Sequence, residues 1–353
     1  MVDSKTAKRV WGSFTTLAPL TQSSPGGVKE GIGGYTRTRT WPGLGGVRLP
    51  IYSGNGIRGR VRRVMAEEMF RQVGVGAQDL RPVVAHLFLV GGSLAKDAQK
   101  TLTPETERAI KSLFPPLALM GGTVLSTITT GRLRVGDFVA LTQETYEPYL
   151  QALGADRESL PSAKDVLFVD YHVRSGRDLA EYWTDEELAA EGAEDTEDAE
   201  DAGNGTSAGK TKNASSERSM PHGIQGVIPG VTFVGSIGLG DYRGLDETDD
   251  TIQRSCLRLG LETAFPDAGE TTLGLGAANG RGSVEFAWGE ALDAICSEDP
   301  PGEAYLAHIE EHRDEMRDKL LSGDLVPKRK AAPAPVKAAE TAGGSERKRG
   351  RGR

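Results

Sequence analysis

Strand-like and helical segments follow one another along this chain without regular strand–helix alternation, and that irregularity constrains the fold most. A parallel sheet needs a crossover helix between successive strands, so the pattern favours an α+β fold built on an antiparallel sheet. "KRVWGSFTTLAPL" carries the β-branched and aromatic residues of a strand at residues 9 to 17. Residues 121 to 141 alternate around a Gly-centred turn and read as a strand pair. Residues 229 to 239 alternate again, with Val231, Phe233 and Ile237 on one face. A glycine-rich loop then runs into the strand-like "SVEFAW". Helical spacing appears in Ile57, Val61, Val64, Met65 and Met69, with Ser53 or Asn55 as the cap. Residues 248 to 264 read as a helix capped by Thr248, with Asp249 and Asp250 in its first turn, and residues 302 to 321 as a charged helix. Between the first strand and the helix that starts near Ser53 lies a long loop, residues 21 to 47, rich in Gly, Ser, Thr and Pro. No internal repeat is present.

Charge narrows the function. The formal net charge of −8 averages over unlike blocks. Residues 1 to 100 hold fifteen Lys/Arg against six acids. From Glu181 to Gly209 there are eleven acids and no Lys or Arg, whereas residues 328 to 353 hold nine Lys/Arg against two acids. The acidic block reads as a solvated insert, with repulsion of stray nucleic acid as its functional alternative, and the basic block as a disordered tail. The expected organisation is one body over residues 1 to 327, with a loop at about 21 to 50, a finger insertion at about 145 to 180 and an acidic insert at 181 to 219. No run of 18 apolar residues exists, so no membrane span is expected. The N-terminus lacks a signal-peptide core, and two cysteines, Cys256 and Cys296, make no disulfide framework and suit the cytoplasm. No metal site and no cofactor are expected.

The basic excess is concentrated in "RLPIYSGNGIRGRVRR", residues 48 to 63, which hold five arginines and no acid. Arg58, Arg60, Arg62 and Arg63 crowd onto the first turns of one helix, Arg58 and Arg62 on one line, Arg60 and Arg63 on a neighbouring one. A helix N-terminus presents free N–H groups and a positive dipole end, and forked guanidinium donors match phosphate oxygens. The plain alternative is a solvated amphipathic helix pairing with Glu67 and Glu68. Lys29, Arg37, Arg39 and Arg48 extend the basic stretch, and Glu30 is the only acid between residues 4 and 66. An extended basic surface suits a polyanion.

Other motifs carry less. "GLGAANGRG", residues 274 to 282, places Gly280 one residue too late for a dinucleotide fingerprint and precedes a strand. It reads either as a structural turn or as a loop packed against RNA, with Arg281 as a phosphate partner. "HIEEH", His308 to His312, matches an inverted zinc-protease pattern, but it lies in a charged helix with only 41 residues left for a third ligand. A solvated helix is the reading. His172 and His222 are isolated, and no catalytic constellation emerges.

Taken together these pieces resemble the RAMP superfamily. "LPIYSGNGIRGRVRR" resembles its signature, a Pro and a Ser-rich turn leading into an (L/I)-(R/K)-G-x-x-R helix, here Pro50, Ser53, Ile57, Arg58, Gly59 and Arg62. "LALMGGTVLSTITTGRLRVGDFVAL" resembles its Gly-bounded segment and following strand, "SMPHGIQGVIPGVTFVGSIGL" its thumb and next strand, and "LGAANGRGSVEF" its terminal glycine loop. Within the superfamily the chain looks most like the backbone subunit of class 1 CRISPR effector complexes, the type IV branch first and type I-D next. The resemblance implies an RRM-like (ferredoxin-like) palm with finger insertions and a thumb hairpin. It implies that copies assemble head-to-tail along guide RNA (crRNA), beside other effector subunits, and leave bases free to pair with a target nucleic acid. It puts Ser53, Asn55, Arg58 and Arg62 on the guide backbone, with Arg60 and Arg63 as neighbours that could share the role and Asn279, Gly280 and Arg281 nearby; Lys29, Arg37 and Arg39 join the RNA-binding candidates by their charge. Met220, Pro221 and His222 become candidates for the thumb tip.

One departure bears on catalysis. Type III backbone subunits cut target RNA with an Asp in the loop before the signature helix, and residues 21 to 50 hold no Asp here. Metal-assisted cleavage needs a carboxylate to hold the metal or the attacking water. A non-catalytic coat is therefore expected, with Asp137 structural. The alternative is an endoribonuclease of the same fold, processing the guide or cutting the target RNA.

Overall fold

A computed structural model describes residues 9–23, 35–92, 102–125, 127–173, 221–240, 245–274, 280–288, 292–296 and 300–326. The N-terminal part comprises β1 (Arg9–Thr16), β2 (Tyr35–Thr36), β3 (Thr40–Pro42), β4 (Arg48–Tyr52) and the long helix α1 (Gly54–Gln72). Four helical and four strand segments follow: α2 (Pro82–Leu89), α3 (Pro104–Leu113), α4 (Pro115–Met120), β5 (Gly121–Val124), β6 (Thr127–Thr130), β7 (Leu133–Val135), β8 (Phe138–Ala140) and α5 (Glu147–Leu153). The remainder holds β9 (Leu167–Val173), β10 (Pro221–Val227), β11 (Thr232–Leu239), α6 (Glu247–Ala264), β12 (Glu270–Thr272), β13 (Ser283–Ala287), α7 (Leu292–Ile295), α8 (Glu303–Glu311) and α9 (Arg313–Ser322).

The chain is α+β, as expected. Its main sheet has eight strands in the order β12-β13-β1-β11-β8-β4-β3, with β7 also on β11, and every pairing is antiparallel. β2, β10 and β9 form a smaller sheet, and β5 and β6 a hairpin.

The centre of the sheet follows from period-two patterning. In β1 the residues Val10, Gly12 and Phe14 lie opposite Ile237, Gly235 and Phe233 of β11. The Phe14 and Phe233 rings stack at 4.8 Å, and Phe286, Phe138 and Tyr52 close around Phe14. The facing pair Gly12 and Gly235 leaves room for large rings: a Cβ on Gly12 would overlap Trp288, and one on Gly235 would overlap Phe138.

Helices α1 and α6 cover this aromatic layer. Ile57, Val61, Met65 and Met69, four residues apart, are fully buried in the same cluster as Phe14, Phe233 and Phe286. Each such side chain contributes about 1.5–3 kcal/mol of burial. Gly260 lets α6 approach α1, because a Cβ there would sit 2.6 Å from Met65 Cγ and 3.0 Å from Val61 Cγ1. On the other face, Leu150 and Tyr149 of α5 pack with Leu141, Val234 and Trp11.

Several expectations are corrected. The loop expected over residues 21 to 47 contains β2 and β3, because Arg39 N–H donates to Gln22 O and Ile51 N–H to Arg39 O, drawing the segment alongside β4. Residues 121 to 141 are four short strands in two sheets rather than one pair. The hairpin β5–β6 closes beyond Leu125, whose φ is +47°, and Gly131 separates β6 from β7. Asp246, not Thr248, caps α6, its carboxylate accepting Thr248 N–H at 3.1 Å. The helix expected over 302 to 321 breaks at His312 into α8 and α9. Helices α2 to α5 were not anticipated, although each begins with proline at its first or second position. The acidic insert and the basic tail lie outside the described residues.

Candidate nucleic-acid interface

The site is organised by the start of α1. Ser53 is the N-cap, and its Oγ accepts Asn55 N–H at 3.2 Å. Asp137, in the turn between β7 and β8, accepts Gly54 N–H at 2.8 Å. Gln22 Oε1 accepts Ser53 N–H at 2.6 Å. The first N–H donors expected to be free for phosphate are thus already filled, which corrects the reading of an open helix N-terminus. Asp137 has the structural role expected of it. Gly54 is required for the fit, since a Cβ would lie 2.5 Å from Val135 O and 2.6 Å from Gly136 O.

Helical geometry splits the four arginines into two pairs with different surroundings. Arg58 and Arg62 turn towards the end of α4. Arg58 Nη2 donates to Met120 O at 2.9 Å, and Arg62 donates to Met120 O at 3.0 Å and Gly121 O at 2.9 Å. A cation at a helix C-terminus meets exposed carbonyls and the negative dipole end. Burial, reinforced by the neighbouring Arg58 charge, pushes the Arg62 guanidinium down to about 10. Burial lowers Arg58 as well, and its Nε has no hydrogen-bond partner among the described residues.

Arg60 and Arg63 face the other way, into a cleft of ≈ 600 Å³. Asn55, Gly56 and Gly59 form its α1 wall with them, Tyr52 its floor, and Thr272, Leu273 and Gly274 the opposite wall. Arg60 Nη1 donates to Thr272 O, and its guanidinium lies 5.4 Å from the Phe265 ring centroid. Arg60 is lowered first by burial, and the adjacent Arg63 charge lowers it further, against a raising contribution from Tyr52. Arg63 is exposed and makes no ion pair among the described residues. Two like charges held side by side over an open cleft disfavour each other, and a bound anion relieves that repulsion. Gly59 leaves the wall low, since a Cβ there would meet nothing within 4 Å. Glu67 also lines the cleft and is exposed, so the pocket is not uniformly basic. Tyr52, Glu67 and Thr272 were missed in the sequence: Tyr52 adjoins the cap residue, but nothing local marks the β12 edge as the facing wall.

The other predicted site residues scatter. Lys29, Asn279 and Met220 lie outside the described residues. Gly280 has φ +69° with open space around it. Arg281 is drawn away from the cleft into an ion pair with Asp170 of β9. Pro221 and His222 start β10 and pair with Val173 and His172 at the end of the β9–β10 hairpin from which residues 174 to 220 depart. Arg37 and Arg39 are half-buried, flanking Thr38, whose N–H donates to Gln225 Oε1 at 3.2 Å.

The His308 and His312 rings are 4.6 Å apart, and His308 Nε2 is 3.3 Å from Leu113 O. No group of three His, Cys, Asp or Glu that could hold a metal ion occurs among the described residues, nor is any described helix long and apolar enough to cross a membrane.

No protein-family model matches the chain, and no curated protein matches it. Among solved structures it is similar to a chain described as "Type IV-B CRISPR Complex", at 15% identity and TM-score 0.44, over 85% of this chain and 98% of that one.

Proposed function

We propose that this chain is a non-catalytic backbone subunit of a CRISPR ribonucleoprotein that holds single-stranded guide RNA by its phosphates along the α1 cleft. The observation that carries the reading is the presence of Arg60 and Arg63, side by side and, among the described residues, unmatched by a carboxylate at hydrogen-bond distance, in an open cleft beside Asn55 and Gly59. Sequence-blind binding needs phosphate contacts rather than a readout set for base edges. Arg58 and Arg62 act in this reading on stability: they hold α1 against the end of α4 and do not face the RNA.

The fold supports the same reading. Strands β13-β1-β11-β8, with α1 and α6 over one face, follow the fourth-first-third-second strand order of an RRM-like palm. On this reading the antiparallel β9–β10 pair serves as the thumb, with Pro221 and His222 as its tip candidates. On this reading Asp137 serves the α1 cap, accepting Gly54 N–H, rather than an RNA-cutting site. Partners on this reading are guide RNA, further copies of the chain in a head-to-tail filament, other effector subunits and a base-paired target.

The test is the 260/280 nm absorbance ratio of the purified protein across gel filtration in rising salt, followed by addition of guide-length RNA. A nucleic-acid-like ratio in an early-eluting species, or filaments on RNA addition, supports the coat. A protein-like ratio with a monomer peak that RNA does not shift overturns it. Regularly spaced cuts in complementary RNA would overturn the non-catalytic part alone.

A further inference from the structure

One acid stands among the arginines of the cleft. Asn55, Gly59, Arg60, Arg63, Val64 and Glu67 follow one another along a single stripe of α1, and all of them line the cleft. Glu68, the next residue, serves the helix itself: its carboxylate accepts Arg71 Nε at 2.9 Å and Gln72 Nε2 at 2.8 Å. Glu67 is exposed and makes no hydrogen bond or ion pair among the described residues. Arg63 lies four residues before it, yet the two do not pair, and an arginine preceding the acid is the less favourable order on a helix. A carboxylate beside a phosphate-binding pair repels the ligand it faces. That repulsion is offset only where the ligand brings a donor, because an ionised carboxylate accepts hydrogen bonds and gives none. The sugar–phosphate backbone of RNA carries such a donor, the ribose 2′-hydroxyl, and that of DNA lacks it.

We propose that Glu67 reads the sugar: its carboxylate accepts the 2′-hydroxyl of the nucleotide whose phosphate lies at Arg60 and Arg63, so that the cleft admits RNA and disfavours DNA. The inference rests on the reading of the cleft as a phosphate site and adds the sugar to it. Spacing along the helix fits the assignment. Glu67 is four residues beyond Arg63, a rise of about 6 Å, which keeps it within one nucleotide of a phosphate held by the two arginines. Half-buried Val64 lies on the same stripe and gives the sugar an apolar seat. On the facing wall Thr272 O is already taken by Arg60. Glu67 is the one carboxylate among the described residues that line the cleft. To a DNA strand it offers repulsion alone; to an RNA strand it returns a charge-assisted hydrogen bond. The consequence is a choice between sugars without any reading of bases, as a sequence-blind coat requires.

The experiment measures fluorescence anisotropy on the full chain as wild type, Glu67→Ala, Glu67→Gln, and Arg60→Gln with Arg63→Gln. The probes are labelled single strands of one length and one adenine–cytosine sequence: RNA, DNA, and 2′-fluoro RNA, which keeps the RNA sugar conformation but lacks the donor. The proposal expects wild type to bind RNA at least ~10-fold tighter than DNA, with 2′-fluoro RNA behaving like DNA. In Glu67→Ala the preference for RNA over DNA falls at least ~5-fold, because DNA binds more tightly and RNA shows no comparable gain. Glu67→Gln keeps an acceptor without the charge and retains part of the preference. A preference unchanged in Glu67→Ala, including an equal gain for both strands, makes Glu67 a bystander charge and overturns the proposal. Wild type binding 2′-fluoro RNA as tightly as RNA assigns any preference to sugar shape and overturns it too. If the Arg60→Gln, Arg63→Gln chain binds RNA as tightly as wild type, or no form binds RNA, the reading of the cleft as an RNA site fails and takes the sugar contact with it. RNA lost from that chain while Glu67→Ala keeps the wild-type preference overturns the sugar contact alone.

Discussion

Replacing Arg62 by Met separates the arginines that build the site from those that face its ligand. Met keeps most of the apolar stem but removes the donors to Met120 O and Gly121 O. Hydrogen bonds from a charged group contribute ~1.5–3 kcal/mol each. Arg58 still donates to Met120 O, so Gly121 O is the carbonyl that loses its arginine donor. Removing the buried guanidinium, whose desolvation pushes it down to about 10, returns part of the loss. The net effect is a destabilisation of ~2 kcal/mol, against a total stability of ~5–15 kcal/mol. With an m-value near 3 kcal/mol/M the urea midpoint falls by about 0.7 M. RNA affinity, measured by anisotropy under conditions where the variant is folded, stays within about twofold. Arg63→Met does the opposite: its midpoint is unchanged within ~0.5 kcal/mol, and RNA affinity drops about tenfold. The reasoning is refuted if Arg62→Met keeps the wild-type midpoint and loses RNA.

Gly59→Ala should stabilise the chain by up to ~1 kcal/mol, since the added methyl meets no neighbour and Ala is the better helix former. RNA affinity should fall in the same variant, because the methyl raises the cleft wall; denaturation and anisotropy read the two effects separately. Gly235→Val forces a side chain into the Phe138 ring beneath the centre of the sheet, and a loss of ~3 kcal/mol or more, seen as a fall in thermal midpoint, is expected. Acidification should weaken the fold through His308. Burial holds His308 below its usual 6.5 among Leu113 O, His312, Asp249 and Glu311, so the unfolded chain takes up the proton first and stability declines as pH falls below about 6.5. His308→Gln flattens that part of the stability–pH profile, measured by denaturation between pH 5 and 8.

Much of this architecture can be read before any coordinates are seen, and the boundary of what can be read is physical. β1, β11 and β13 announce themselves because half of each strand faces one aromatic core, so period two survives in the sequence. α1 is equally plain, with Ser53 at its cap and apolar residues four apart. Helix α4 is hidden by its burial at every position from Pro115 to Met120, which erases periodicity, whereas α3 is mostly exposed and buries only Lys111. The arginine helix identifies the site, yet the division of labour within it depends on partners 58 to 212 residues away. Two lines of arginine are visible in the spacing; that one line meets the end of α4 and the other meets a cleft is not. Arg281 shows the converse, because Asp170 takes a residue that motif position alone would place beside the guide.

The central claim is that Arg60 and Arg63 hold phosphate, and the salt dependence of RNA affinity tests it most directly. Affinity for a single-stranded RNA of fixed length is measured between 50 and 300 mM salt for wild type and for the Arg60→Gln, Arg63→Gln chain. Each phosphate contact contributes about 0.7 to the slope of log affinity against log salt on a single strand. The account predicts a slope shallower by about 1.4 in the variant, with weaker binding at every salt concentration. An unchanged slope would mean that the cleft does not touch the RNA backbone, and the account would fail.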